Sequence, residues 1–419
     1  MLCAEYDPAR PHGEVVRRTH AGLPVFELVN NWAFDRFEQT WRSPLVAERV
    51  GAVLDEFRPD VLHLHNLLNL SLEVPALARR RGIPVVATLH DYTLVCPSGG
   101  QRVHVAEEHV CHRIEPERCS RCFARSPFAH AMALGRRAGG APVPGAALRL
   151  ARALRRLAPG LVARAQARAA GSAGASAEEI ALRLDAALRA CEDVELLVAP
   201  SRSLAEEFRR LGVPAAKLRV SDYGFPPLAA RPPRARVAGA PLALGFVGTL
   251  VWHKGVHVLL DAVARLPRER FELQVFGSLD TFPEYSAALR RRAEGLPVRF
   301  LGGFENADAA EIYARLDVLV VPSLWPENSP LVIHEAFQAG VPVVGARVGG
   351  IPDLLRGGAS GLLYEPFDSE ELAARLAELL EHPERLAALR AALPAVKPIA
   401  QDAAEWEAVY AAAGAGAPA

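Results

Sequence analysis

The sequence predicts an α/β protein built as two successive nucleotide-fold-like halves. Short β-type runs alternate with helical patterns, the mark of a parallel sheet with crossover helices. A Pro- and Gly-rich segment separates two such blocks, and the strand-end loops of the second block have the make-up of anion sites. At 419 residues the chain is too long for one compact core, so two or three domains are expected.

In the first half, VLHLH (61–65) and PVVATLH (84–90) are strand runs, with helical LEVPALARRR between them. The second half is cleaner. ALGFVG (243–248), FELQVFG (271–277), VRFLG (298–302), VLVVPS (318–323), VPVVGA (341–346) and GLLYEP (361–366) are separated by helical stretches such as GVHVLLDAVARL. That is one doubly wound domain of about six strands. DYGFPPLAARPPRARVAGAP (222–241) is the expected linker. The domains expected are thus 1–221, 242–395 and a helical C-terminal stretch, 396–419, with a frayed Ala/Gly tail.

Composition excludes several classes. The formal net charge is zero, which argues against a dedicated nucleic-acid binder. Every apolar run is broken before the ~18 residues a spanning helix needs, and MLCAEYDPARPHGEVV has no signal core. A cytoplasmic protein is expected. No G-x-G-x-x-G run opens either half, which disfavours a nicotinamide enzyme.

Two loops carry the chemistry. GFVGTLVWHKG (245–255) ends a strand at Gly248 and opens a helix after Lys254, so a glycine, helix-start amides and a cation share one turn. It lacks P-loop spacing, and a tight βα turn with a solvated lysine is the bland alternative. In PENSPLVIHEAFQAG (326–340), Ser329 is a candidate cap, Pro330 suits the first helical position, and Gly340 with Pro342 makes a stop. Free amides at Ser329, Leu331 and Val332 offer a second anion site. Leu331, Val332, Phe337 and Ala339 are expected to face a core, and Glu335 among them needs a polar partner. Both loops leave strands of one parallel sheet at their carboxyl ends, where ligands bind. Two anion-holding loops and two carboxylates, Glu327 and Glu335, suit a diphosphate joined to hydroxyl-rich groups, as in a nucleotide sugar.

RPDVLHLHN, GIPVVATLHDYTLVCP, VAPSRSLAEEF, GFVGTLVWHKGVHVLLDA, WPENSPLVIHEAFQAGVPVVGARVGGIPDLL and EWEAVY, in that order, resemble glycosyltransferase family 4, the retaining GT-B glycosyltransferases, from about Pro44 to Tyr410. The resemblance implies two Rossmann-like domains facing a cleft, acceptor side first, with the C-terminal helix crossing back. By resemblance, Glu327 contacts the donor sugar, Lys254 the diphosphate, and His90 faces the sugar from across the cleft. Glu335 would meet the ribose, with Gly248, Thr249, Asn328, Ser329, Leu331 and Val332 around the donor and Phe304 near the base. It also implies transfer with retention, assisted by the departing diphosphate. No DxD-type site lies near these loops, so metal-independent transfer is expected. The expected acceptor is a cell-surface or lipid-linked glycan; the rival is a non-catalytic sugar-nucleotide-binding protein or scaffold of the same descent.

Two departures from the family stand out. Thr249 and Leu250 occupy the place, beside the strand glycine or two residues after it, where many relatives carry an arginine that helps the lysine on the diphosphate. The first strand, loop and helix of relatives also seem missing before EYDPARPHGEVVRRTHAGLPVFELVN, itself hairpin-like, so either the start is misassigned or the N-domain is damaged, and the former is the preferred expectation.

Cys96, Cys111, Cys119 and Cys122 fall within one loop excursion and could close a tetrahedral Zn²⁺ site; unligated thiols are the alternative. No acidic residue lies between Glu117 and Glu178, and GAALRLARALRRLAPGLVARAQARAA lines Leu150, Leu154, Leu157 and Leu161 along one face among arginines. Such a helix suits an anionic inner-leaflet surface, or packs plainly on the N-domain.

Overall fold

Strand order places the candidate loops. In the computed structural model, which describes residues 1–104, 107–158, 174–229, 231 and 239–415, the chain forms two main parallel sheets and two small ones. The expected linker lies partly outside the described residues, as does the part of the Arg-rich stretch from residue 159 to 173.

The N-terminal strands are β1 (Leu2–Glu5), β2 (Val15–His20), β3 (Leu23–Val29), β4 (Leu62–Leu64), β5 (Val85–Thr88), β6 (Val103–His104), β7 (His109–Val110), β8 (Leu196–Ala199) and β9 (Leu218–Val220). β2 and β3 form the expected hairpin, and β1 adds in parallel to make a separate three-stranded sheet, β1-β3-β2. The main N-terminal sheet runs β4-β5-β8-β9, all parallel. One face packs on the helices Pro44–Phe57, Val74–Arg79 and Arg202–Arg210 through Val50, Leu54, Leu77, Leu204 and Phe208. On the other face Val86 meets Val409 and Ala413 of the C-terminal helix Ile399–Ala415. Strand side chains alternate faces, so β5 must be covered twice, and the returning helix supplies the second cover.

The C-terminal strands are β10 (Leu242–Val247), β11 (Phe271–Phe276), β12 (Val298–Gly302), β13 (Val318–Val321), β14 (Val343–Ala346) and β15 (Gly361–Tyr364). They are the six runs read from sequence. Their order, β12-β11-β10-β13-β14-β15, is that of a doubly wound dinucleotide fold, parallel throughout. Leu244, Phe246, Val318 and Val320 feed one core, Val247, Leu319 and Val321 the other. Each such side chain, fully buried, contributes roughly 1.5–3 kcal/mol. The order reverses between β10 and β13, which carry the Lys254 and Glu327 loops. A crevice therefore opens between those two loops.

Candidate active site

After β10 a 3-10 turn, Trp252–Lys254, leads into the helix Val256–Val263 through Gly255. Gly255 has φ +71°, and a Cβ there would stand 1.8 Å from the Pro322 carbonyl oxygen. Only glycine lets the two strand-end loops approach this closely. Lys254 Nζ lies 2.5 Å from Glu327 Oε1, which also accepts from the Ser323 hydroxyl at 2.6 Å. Lys254 stands 5.4 Å from the centre of the Trp325 ring. Glu327 is only 5% exposed, and these two donors are what make its burial tolerable. The neighbouring His253 is pushed down to about 4, first by burial and then by the charge of Lys254.

The helix after the second loop starts at Leu331, with Pro330 as its N-cap and no side-chain cap. Ser329 is therefore not the cap that its position suggests. Its hydroxyl donates to Asp222 Oδ1 at 2.7 Å and lies 2.8 Å from His334 Nε2. Proline's own φ suffices to enter the helix, which frees the serine to tie the interdomain segment to this loop. Leu331, expected in a core, is 52% exposed and lines the cleft; the buried face is Ile333, His334, Ala336 and Phe337. The amides of Leu331 and Val332 are the first of the helix and have no carbonyl one turn back to bond.

Glu335 has the partner its setting demands. The fully buried Tyr313 hydroxyl donates to its Oε2 at 2.7 Å. Burial pushes the Glu335 carboxyl up, and this hydrogen bond partly offsets the rise.

Across the cleft, the Asn328 side-chain amide donates to the His90 carbonyl, joining the two domains at the site. Another cross-domain bond runs from the Arg202 amide to Asp353 Oδ2, at 2.8 Å. His90, Tyr223, Phe225, Glu327, Asn328, Ser329 and Leu331 line one cleft of ≈ 540 Å³. Gly349 and Gly350 back the Glu327 loop, and the Gly350 amide donates to the Glu327 carbonyl at 2.7 Å.

The structure thus brings His90, Glu327, Asn328, Ser329 and Leu331 to one cleft and joins Lys254 to it through Glu327. Gly248 directly follows β10 with φ +153°, and Thr249 comes next; Leu250 is wholly buried, so that position is spent on the core. Val332 packs partly buried against the core, and Phe304 stands edge-on to Phe276, after the outer strand β12. Sequence reasoning missed His65, Tyr223 and Tyr313. Tyr223 was absorbed into the linker, although an aromatic in DYGF just before a double proline was a usable signal.

Cys96, Cys111, Cys119 and Cys122 do line one small cavity. Among the described residues, however, no three or more His, Cys, Asp or Glu side chains are placed to hold a metal ion. Burial, then the neighbouring thiols, pushes Cys111 up to about 11 and Cys119 up to about 12, and the Cys122 thiol donates to the Val103 carbonyl.

Comparison with known proteins agrees with this layout. A model described as Glycosyltransferase Family 4 matches residues 1–124, and one described as Glycosyl transferases group 1 matches residues 241–382. A sulfoquinovosyl transferase of Arabidopsis thaliana is 30% identical over 204 residues, 45% of this chain and 38% of its own length. A glycogen synthase of Mycobacterium tuberculosis is 32% identical over 224 residues, 51% of each chain. The chain spans about a third to a half of the length of the curated relatives it matches. Among solved structures, the sucrose-phosphate synthase of Thermosynechococcus elongatus superposes with TM-score 0.61 at 19% identity, covering 98% of this chain and 89% of its own. Anabaena Alr3699/HepE, solved with UDP and glucose, gives 0.57 at 20% identity, covering 93% and 86%. One model falls within the N-terminal half and the other spans the C-terminal sheet, and the chain belongs to the family 4 glycosyltransferases, with the GT-B pairing of two Rossmann-like halves across a cleft.

Proposed function

We propose that the chain transfers a sugar, with retention, from a nucleoside-diphosphate sugar to an acceptor hydroxyl. The observation that carries this reading is the meeting of the Lys254 and Glu327 loops at the reversal point between β10 and β13. The diphosphate lies against the first amides of the helix Leu331–Gln338, and Lys254 exchanges part of its contact with Glu327 for phosphate oxygen. Glu327 then accepts from hydroxyls of the donor sugar, and Glu335 from those of the ribose. The acceptor oxygen bonds to the anomeric carbon on the face from which the phosphate oxygen departs, and its proton passes to that oxygen. The protein stabilises the charge growing on the leaving group, which Lys254 and main-chain amides hold without reorganising. Turnover in excess EDTA is therefore expected.

The acceptor class we propose is a cell-surface or lipid-linked glycan. Its support is the helix Gly145–Leu157, which exposes Leu150, Leu154 and Leu157 at 62%, 48% and 83% in an Arg-rich stretch. Among the described residues no helix is long and apolar enough to cross a membrane, so contact there is with the surface. Retention on vesicles containing anionic lipid, lost in Leu150→Glu/Leu154→Glu, tests it.

The central experiment is a panel of UDP-, GDP- and ADP-sugars, read by thermal stabilisation and by donor hydrolysis or transfer. One nucleotide class should stabilise the protein and be turned over. Stabilisation without turnover would leave the non-catalytic binding protein as the reading; neither effect would remove both.

A further inference from the structure

Three rings drawn from separate strand ends form a hydrogen-bonded row along the N-terminal lip of the cleft. His65 follows β4, His90 follows β5, and Tyr223 follows β9. His65 Nδ1 lies 2.8 Å from His90 Nε2, and His90 Nδ1 lies 3.1 Å from the Tyr223 hydroxyl. The planes are nearly parallel, at 22° and 16°. Both nitrogens of His90 are thus engaged, which leaves its ring none for a sugar hydroxyl. The positions left are at the ends of the row: His65 Nε2, and the Tyr223 hydroxyl, on a residue that lines the cleft with Glu327 and Asn328.

A neutral imidazole carries one N–H, so two in series have only two polarities. In one, Tyr223 donates to His90 and His90 Nε2–H donates to His65. In the other, His65 Nδ1–H donates to His90, His90 Nδ1–H donates to the Tyr223 oxygen, and the Tyr223 O–H is free to donate into the cleft. The choice made at His65 is felt at Tyr223.

We propose that His65, His90 and Tyr223 act as one unit, in which His65 is a positioning residue that selects the His90 tautomer and Tyr223 is the group that meets the bound sugar. The claim on Tyr223 rests on the glycosyltransferase reading above. The surroundings hold the row still. The His63 ring lies 4.1 Å from His65 and 4.1 Å from Trp406, and is bonded to Thr88 and Tyr410. Asn328 pins the His90 carbonyl from the donor side.

The test pairs a spectroscopic readout with a kinetic one. In ¹⁵N-histidine-labelled protein, the His90 ring nitrogens should report a single tautomer. His65→Ala should give a mixture, and His65→Asn, whose amide reaches the place of Nδ1, should restore one form. With donor and acceptor, His65→Ala should lower kcat about ten-fold, the worth of one hydrogen bond, with donor KM little changed, and His65→Asn should recover it. Tyr223→Phe should raise donor KM. A His90 tautomer indifferent to His65→Ala overturns the unit. A tautomer that does change, with kcat and KM as in the native chain, overturns its part in transfer. The nuclear measurement needs no donor, so it decides the row even if the native protein turns over no sugar nucleotide, in which case the Tyr223 claim falls with the functional reading.

Discussion

The two lips of the cleft are built from different materials. On the C-terminal side, charge is held by short motifs: Lys254 in one loop, Glu327 in the next, Glu335 about one turn into the helix that follows, and helix-start amides between them. On the N-terminal side there is a row of rings, His63, His65, His90 and Tyr223, closed by Trp406 and Tyr410 from the far end of the chain. A charged site assembles from neighbouring strand ends of one sheet, because β10 and β13 are paired. The ring site needs a helix nearly the whole chain away to return. Charge is therefore locally encoded here, whereas ring stacking and tautomer choice depend on the global path of the chain.

This contrast can be broken in order of effect. Lys254→Ala or Glu327→Ala should cost on the order of 10²–10³ in turnover, because each removes a group from the charge-holding side. Initial-rate kinetics check it, and native-like rates in both variants would remove the site assignment. Gly255→Ala should come next. Its Cβ meets the Pro322 carbonyl, so stability should fall by roughly 1–3 kcal/mol as the two loops are pushed apart. Denaturant melts measure this.

Tyr313→Phe strips Glu335 of its donor and should cost about 1–3 kcal/mol at neutral pH, again by denaturant melt. Smallest is Glu335→Gln. The Glu335 carboxyl is raised in the folded state, so the stability it contributes is present below its ordinary value and is lost as pH rises through the folded one. Glu335→Gln should therefore melt slightly higher than the native protein at pH 7, with the gap closing toward pH ~4. A gap that widens on acidification would reverse the sign argued here. On the ring side the sign is opposite. His63 is pushed down to about 3, chiefly by burial, so its contribution is present above the ordinary histidine range and fades as pH falls toward 3.

Much of the C-terminal half is legible in the sequence. Its six strands are readable as apolar runs, because a parallel strand covered on both faces is a near-continuous apolar stretch; the edge strand β12 is the exception, with alternating exposure. The need for a partner at Glu335 was legible too, but not its identity, because Tyr313 sits on a separate helix, Ala309–Ala314. The cap that its position suggests for Ser329 is not formed, because its partner, Asp222, comes from the interdomain segment. In the N-terminal half the strands β8 and β9 escape a reading by apolar runs, because both are only three or four residues long and β9 is largely exposed. The four cysteines, spread over 27 positions, come together around one small cavity.

The amino-acid order alone determined the periods, the breaks and the loop chemistry, because hydrophobic repeat, turn residues and helix starts act over a few residues. Only the folded chain decided that Lys254 would meet Glu327, that Tyr223 would leave the linker for the cleft, and that Trp406 would stack on His63. Those contacts join residues 73, 133 and more than 300 positions apart, and no local energy selects them. Which strand lies beside which, and where the last helix returns, is settled by burying both faces of two sheets at once.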